Sequence, residues 1–168
     1  SAVTLQPITR YGFDAAIIFS DILMIPWAMN RNVRFKTGVG PLLDAMEKPD
    51  DIDVSCLDGL SKKLAPVGQA LTLTRAALPP QTTLIGFAGA PWTLITYMAE
   101  GGTSRDFSKA RQWAWQNAKA LDGLLEILVN ATISFLSLQA QSGAQTLMLF
   151  DSWASAVPAA QRNWLVTK

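Results

Sequence analysis

The chain has 168 residues, of which 49% are hydrophobic and 16% charged, and a formal net charge of +1, so it is long enough for one domain with a core. Its charged share lies below the usual value of about 25%, so we expect apolar surface to face protein outside this sequence, and the balanced charge argues against a nucleic-acid partner. Histidine is absent and cysteine occurs once, which excludes histidine-activated nucleophiles and nearly every familiar zinc site within this span and predicts a reducing, cytoplasmic setting.

The first predicted element is a buried strand over residues 15–20, directly followed by Asp21. Buried parallel strands are continuous apolar runs, and the groups at their carboxyl ends form the sites of α/β folds. Because Asp21 follows five apolar residues and one serine and precedes Ile22 and Leu23, we expect a desolvated carboxylate, which is a property typical of functional acids. The alternatives are that Asp21 caps the next segment or pairs with a buried arginine.

The segment after Asp21 predicts first a hairpin and then a helix. Val33-Arg-Phe-Lys36 alternates apolar and basic residues, as a short exposed strand or hairpin arm does. Gly38-Val-Gly-Pro41 predicts the turn that follows. Apolar residues at helical spacing between Leu60 and Leu78 predict a helix, with Asp58 as a possible N-cap.

A second strand is predicted over residues 83–87, and it continues into Gly86-Phe-Ala-Gly-Ala-Pro-Trp92. Glycines at a strand end permit close approach of a ligand, although tight packing is the alternative. The pattern lacks the G-x-G-x-x-G spacing of a dinucleotide site. Residues 93–99 predict a short helix carrying Tyr97, whose hydroxyl can donate to a buried carboxylate or can simply be half-buried packing.

Two helices are predicted before the third strand. The first starts near Ser104, a possible cap, and the second covers residues 118–141 with Gly143 at the position of a left-handed C′ glycine. Trp113 and Trp115 cannot share one helix face, so we expect at least one to be exposed or covered by another chain. Polar residues along the second helix argue against a membrane-spanning segment.

The third strand is predicted over residues 146–150 and ends at Asp151 and Ser152. These two residues can bind a ligand or cap the following segment, and the lack of histidine argues against Ser152 as a nucleophile. Strands that alternate with helices predict an α/β fold with parallel strands and right-handed crossovers. Three such strands form either an arc of a barrel or the beginning of a Rossmann-like sheet.

Four motifs, in this order, resemble the uroporphyrinogen decarboxylase family: Phe13-Asp-Ala-Ala-Ile-Ile-Phe-Ser-Asp-Ile-Leu23, Gly86-Phe-Ala-Gly-Ala-Pro-Trp-Thr93, Thr96-Tyr-Met-Ala-Glu-Gly-Gly102 and Leu149-Phe-Asp-Ser152. The resemblance implies a (β/α)₈ TIM barrel. Residues 1–168 would form a single partial domain from its centre, because the family's N-terminal arginine motif and C-terminal histidine motif have no counterpart here. It also implies a homodimer that works in haem biosynthesis without a metal or organic cofactor.

The same resemblance implies a substrate and a site. The family converts the four acetate side chains of uroporphyrinogen III to methyl groups, giving coproporphyrinogen III and carbon dioxide. Asp21 matches the aspartate that binds the pyrrole N–H groups and stabilises a cationic intermediate, Tyr97 matches a tyrosine near it, and Ser152 matches a serine that contacts a substrate carboxylate. The apolar wall around the macrocycle would consist of Ile17, Phe19 and Phe87.

Two other functions remain open from the sequence. The superfamily includes cobalamin-linked methyltransferases, which use a zinc site built from histidine and cysteine, and the absence of histidine argues against them. A truncated relative that binds a tetrapyrrole without catalysis is the second alternative. Because the arginine and histidine motifs lie outside this span, we expect the isolated chain to have no decarboxylase activity.

Overall fold

Strands and helices alternate along the chain. The structure is a computed structural model that describes residues 2–167, including their side chains except at positions 56 and 166. Short 3₁₀ turns lie at Val54–Gly59, Ala154–Ala156 and Ala159–Gln161. The helices and strands, in chain order, are α1 (Ala2–Tyr11), β1 (Ala15–Ile17), α2 (Met24–Ala28), β2 (Arg34–Lys36), β3 (Gly40–Leu42), α3 (Leu60–Ala77), β4 (Thr83–Gly89), α4 (Pro91–Glu100), α5 (Ser108–Gln116), α6 (Ala118–Gln141), β5 (Thr146–Phe150) and α7 (Arg162–Val166).

Three strands form a parallel sheet in the order β1-β4-β5, and β2 and β3 form a separate antiparallel hairpin. The crossover from β1 to β4 contains α3, and the crossover from β4 to β5 contains α4, α5 and α6. Parallel strands require such long connections, since a two-residue turn cannot join them. The predicted α/β class with parallel strands is therefore confirmed.

The main core lies between the helices and the outer face of β4. Its largest fully buried side chains include Trp92 and Leu94 from α4 and Phe135 from α6. By length and composition alone, α6 is apolar enough to cross a membrane. Its apolar stripe is buried within this core, as in the core helix of a globular domain. That stripe comprises Leu121, Leu124, Leu125, Leu128 and Phe135.

The strand β1 is shorter than the predicted span of residues 15–20, since it ends at Ile17. The N–H of Ile18 still donates to the Ile85 carbonyl of β4 at 2.9 Å. The next N–H, that of Phe19, donates to Thr4 Oγ1 of α1 at 3.1 Å. The chain thus turns away from β4 towards α1 just before Asp21, which opens the sheet at its carboxyl edge.

A glutamine side chain replaces the missing strand beside β4. The fully buried Gln139 of α6 accepts the Phe87 N–H through Oε1 at 2.8 Å and donates through Nε2 to the Phe87 carbonyl at 2.7 Å. A primary amide places an N–H donor beside a carbonyl acceptor, so both backbone groups of Phe87 are satisfied. We call this pair of hydrogen bonds the Gln139 clamp.

Two predicted helix caps are wrong. The N-cap residue of α3 is Gly59, with no side-chain hydrogen bond, because a 3₁₀ turn occupies Asp58 and leads directly into the helix. Helix α5 begins at Ser108 rather than near Ser104. Ser104 Oγ instead accepts the N–H of Phe107 at 3.1 Å, and Phe107 has a left-handed φ of 51° that separates the two segments.

The other helix predictions are confirmed. Helix α6 and strand β5 have the predicted bounds, and Gly143 has a φ of +107° beyond the end of α6. Trp113 is 3% exposed and Trp115 is 63% exposed, as their spacing of two residues on α5 requires.

Candidate active site at the carboxyl edge of the sheet

Asp21 follows β1 at the point where the sheet opens. Its carboxylate is half-buried, and Oδ1 accepts the N–H of Leu23 at 2.7 Å. This bond stabilises the turn into α2, so the capping interpretation of Asp21 describes one of its contacts. Asp21 is partly rather than fully desolvated, because the chain leaves the sheet before this residue. Among residues 2–167 the ion pair is that of Arg34 with Asp44 at 2.6 Å, and no arginine pairs with Asp21.

Asp21 lies in the wall of an open cavity of about 580 Å³. Three separate segments form this cavity, namely the turn between β1 and α2, the hairpin strand β2 and the N-terminal half of α3. Its lining is apolar apart from Asp21 and its neighbour Ser20. The other lining residues are Phe19, Met24, Phe35, Pro66 and Val67. An acidic group with apolar walls around it suits a ligand that has an apolar body and a hydrogen-bond donor or positive charge.

Tyr97 lies on α4, and it is 6% exposed. Burial raises the pKa of Tyr97 above its ordinary value of 10.0 and is the largest cause of the shift. The neighbouring Trp153 indole lowers this pKa, and the negative charge of Asp21 raises it further. The Trp153 Nε1 group is buried and makes no well-formed hydrogen bond within residues 2–167. Because the Asp21 charge acts on Tyr97, the structure brings these two predicted site residues into electrostatic range.

Asp151 and Ser152 follow β5 at the same edge of the sheet. Asp151 Oδ1 accepts the hydroxyl of Thr93 at 2.7 Å, and Thr93 Oγ1 accepts the N–H of Trp153 at 3.2 Å. The carbonyl of Trp153 accepts Nε1 of Trp92 at 3.0 Å. Asp151 therefore fixes the segment after β5 against the start of α4, and Ser152 is exposed beside it.

The predicted apolar wall is divided between two places. Phe19 is 76% exposed and lines the Asp21 cavity. Ile17 is 42% exposed and lies on the open face of the sheet, in register with Ile85. Phe87 is buried and packs edge-to-face against Phe150, with ring centroids 5.4 Å apart. Of the predicted site residues, Phe19 and Asp21 therefore share one cavity, and Phe19 also lines a second cavity of about 320 Å³ with Ile17 beside α1. Phe87 and Ser152 line neither cavity.

Sequence reasoning missed two groups at this edge. Phe35 and Met24 line the cavity, and the hydroxyl of Thr93 fixes Asp151. Alternation in Val33-Arg-Phe-Lys36 predicted the hairpin, but a pattern within one strand does not tell which element its apolar face meets. Among the side chains that the structure describes, no three acidic groups cluster closely enough to hold a metal ion.

Comparison with known proteins identifies the family. The family model described as "Uroporphyrinogen decarboxylase (URO-D)" matches residues 1–164. The chain belongs to the uroporphyrinogen decarboxylase family. A uroporphyrinogen decarboxylase of Rhodospirillum rubrum is 44% identical over 165 residues, which are 98% of this chain and 47% of that protein. One of Maricaulis maris is 48% identical over 156 residues, which are 93% of this chain and 45% of that protein.

A solved structure supports the fold of this family member. A methyltransferase from Methanosarcina mazei superposes with a TM-score of 0.73 at 16% identity, covering 95% of this chain and 47% of that chain. At this identity the likeness concerns the fold alone. The uroporphyrinogen decarboxylase fold is a TIM barrel, so the three parallel strands and their helices are part of a (β/α)₈ barrel. The Rossmann-like alternative is not supported.

The chain spans about half the length of the curated relatives it matches. Consistent with this, large apolar side chains on both outer strands of the sheet are exposed, including Ile17 on β1 and Leu149 on β5.

Proposed function

We propose that the complete protein containing this chain is a uroporphyrinogen decarboxylase, which converts the acetate side chains of uroporphyrinogen III to methyl groups. The observation that carries the proposal is Asp21, a half-buried carboxylate in an apolar cavity of about 580 Å³, within a chain matched by the family model over residues 1–164. The carboxyl edge of the strands is where barrel enzymes place their reacting groups.

The proposed reaction uses the pyrrole ring as its electron sink, so it needs no cofactor. A proton added to a pyrrole carbon makes the ring cationic. The bond between the acetate methylene and its carboxylate then breaks, carbon dioxide leaves, and the bonding electron pair neutralises the ring. The methylene carbon takes up a proton and the ring carbon loses one, so each acetate and one net proton give a methyl group and carbon dioxide.

Asp21 would serve this reaction by accepting pyrrole N–H groups and by stabilising the developing positive charge. Its hydrogen bond from the Leu23 N–H fixes one carboxylate oxygen and leaves the other for the substrate. Tyr97, whose pKa is raised chiefly by burial, would remain a neutral hydroxyl donor at the working pH. Ser152 would contact a substrate carboxylate, and Ile17, Phe19 and Phe87 would line the path of the macrocycle.

A methyltransferase function is less well supported. The structural likeness to the methyltransferase of Methanosarcina mazei carries only 16% identity, while the curated relatives at 44% and 48% identity are decarboxylases. The proposal includes a cytoplasmic homodimer with porphyrinogen as its small-molecule ligand and with neither nucleic acid nor membrane as a partner.

Substitution of Asp21 in the complete protein tests the proposal. We expect Asp21→Ala to lower the turnover of uroporphyrinogen III by a factor of about 100 or more, the size of effect seen when one preorganised charge-stabilising group is removed. Carbon dioxide release and coproporphyrinogen formation measure the turnover. Asp14→Ala is the matched control, since Asp14 is an exposed carboxylate just before β1.

Circular dichroism should show both variants folded like the wild type. Unchanged turnover in Asp21→Ala would refute the role of this carboxylate. If the wild-type protein bound uroporphyrin but released no carbon dioxide, the protein would be a binder and the enzymatic proposal would be wrong.

A further inference from the structure

Phe35 is an exposed aromatic residue at the mouth of the Asp21 cavity. It lies in the middle of β2, it is 68% exposed, and it lines the cavity together with Asp21 and Phe19. Successive side chains of a strand point to opposite faces, so Arg34 and Lys36 lie on the other face of the hairpin. The hairpin therefore presents its one aromatic ring to the cavity and its charges away from it.

The hairpin is held in place at its base. Arg34 Nη1 bonds Asp44 Oδ1 at 2.6 Å, and this hydrogen bond holds the pKa of the Asp44 carboxyl below its ordinary value. Arg31 Nη2 also donates to the Asp44 carbonyl at 2.7 Å. These bonds join the segments that precede and follow the hairpin, so Phe35 has a defined position over the cavity.

The same segment is joined to the helix that carries Tyr97. The N–H of Leu43 donates to the Gly101 carbonyl at 3.0 Å, and the N–H of Met46 donates to the Met98 carbonyl at 2.8 Å. The hairpin base and α4 thus form one hydrogen-bonded unit, which positions Phe35 relative to Tyr97. Asp21 lines the same cavity as Phe35 from the turn between β1 and α2.

Two exposed phenylalanines on one cavity are costly for a protein in water. Phe19 is 76% exposed and Phe35 is 68% exposed, although both side chains belong to residue types that are normally buried. A flat aromatic ligand that enters the cavity would cover both rings, and aromatic pairs attract beyond the effect of buried area. A pyrrole ring presents such a face, and its N–H group can donate to Asp21.

We propose that Phe35 contacts the tetrapyrrole substrate and contributes to its affinity. The ring stacks on a pyrrole of the macrocycle while Asp21 accepts the pyrrole N–H groups. The inference rests on the proposed decarboxylase function and adds the β2–β3 hairpin to the substrate site. The contact is the same before and during carbon dioxide loss, so Phe35 stabilises the bound substrate and the transition state equally. Such a contact lowers KM and leaves kcat unchanged.

Kinetics of the complete protein test the role of Phe35. We expect Phe35→Ala to raise the KM for uroporphyrinogen III roughly three- to tenfold, the size expected for loss of one aromatic contact, with kcat unchanged. Phe35→Tyr should keep the wild-type KM because it keeps the ring. The matched control is Val39→Ala, which removes apolar surface that is 48% exposed on the same hairpin but does not line the cavity.

A binding measurement provides an independent readout. Uroporphyrin, the oxidised and non-reacting probe, should quench the tryptophan fluorescence of the protein when it binds. Half-maximal quenching of the Phe35→Ala protein should need a higher uroporphyrin concentration than that of the wild type, by the same factor as the rise in KM. If Phe35→Ala fails to fold, Phe35→Leu replaces it, since leucine keeps an apolar side chain and loses only the ring.

The outcomes separate the two proposals. Suppose that Asp21→Ala abolishes turnover while the KM of Phe35→Ala does not exceed that of the Val39→Ala control. The proposed role of Phe35 is then wrong, and the decarboxylase proposal stands. If Asp21→Ala retains full turnover, the decarboxylase site itself is misassigned. A fall in kcat at unchanged KM for Phe35→Ala would also overturn the inference, because it would indicate a contact made only in the transition state.

Discussion

At the scale of single residues, the informative interaction is between Asp21 and Tyr97, which come from different elements. Tyr97 keeps its proton more tightly in the folded protein than in the unfolded chain, chiefly because of burial and in smaller part because of the Asp21 charge. The sign of the effect on stability follows from proton linkage. The contribution of Tyr97 is fully present below pH 10 and is lost as the pH rises through the raised pKa.

The variant Asp21→Asn should lower the pKa of Tyr97 without returning it to 10.0, because burial, the larger cause, remains. The chain has two tyrosines, so a Tyr11→Phe background leaves Tyr97 as the one phenol to titrate by tyrosinate absorbance. Asp14→Asn in the same background is the control, and it should leave the pKa of Tyr97 as it is in the Tyr11→Phe protein. A Tyr97 pKa that does not move in Asp21→Asn would show that the two groups are not coupled.

At the scale of elements, the Gln139 clamp explains how the sheet opens beside the candidate site. Strand β1 turns towards α1 after Ile17, and the backbone of Phe87 would otherwise be left buried without partners. A buried N–H or C=O without a partner costs about 1–3 kcal/mol. Helix α6 therefore does more than cover the sheet, since it supplies the hydrogen bonds that a strand would have made.

The substitution Gln139→Leu should lower the free energy of unfolding by about 2–4 kcal/mol, because it leaves both backbone groups of Phe87 unsatisfied. Urea unfolding followed by circular dichroism measures this loss. Gln112→Leu on α5 is the matched control, since Gln112 is exposed and bonds only Gln116 in the next turn. The control should change stability by less than about 0.5 kcal/mol. Equal effects of the two substitutions would contradict the clamp.

The elements with a regular apolar period were predictable from the sequence. The bounds of α6 agree with the predicted ones because its apolar residues recur at helical spacing, and those of β5 agree because a continuous apolar run ends at Asp151. The end of β1 was not predictable, because it depends on Thr4 and Gln139, which lie on other elements. Asp21 was a candidate from its place after a predicted strand and Phe19 from the family resemblance, whereas Phe35 reaches the cavity only through the tertiary position of the hairpin.

At the scale of the whole molecule, the main feature is a three-stranded arc whose two outer strands are β1 and β5. On β5, Leu147, Met148 and Leu149 are 42%, 44% and 51% exposed, so both faces of this strand are uncovered. In a closed barrel such a strand is paired and covered by helices. An unpaired apolar edge is a template for association with other chains.

The isolated 168-residue chain should therefore self-associate with rising concentration and turn over no uroporphyrinogen. Sedimentation velocity measures the association, and the double substitution Leu147→Lys and Leu149→Lys should reduce it, since charge on an edge strand opposes pairing. Lysines at Val3 and Leu73, exposed apolar residues on α1 and α3, are the control. A wild-type chain that stays monomeric at every concentration, or that produces coproporphyrinogen on its own, would contradict this view of the arc.

The Gln139 clamp also makes two distant positions of the sequence interdependent. A Cβ at Gly86 would lie 2.6 Å from Gln139 Oε1 and 3.1 Å from the Ala144 side chain, so the amide fits only because residue 86 is glycine. The clamp joins residues 52 positions apart. A chimera with a relative that is joined between residues 86 and 139 can therefore combine a larger side chain at position 86 from one parent with the amide at position 139 from the other. The two side chains would then clash, so this interval is an unfavourable place to join two parent sequences.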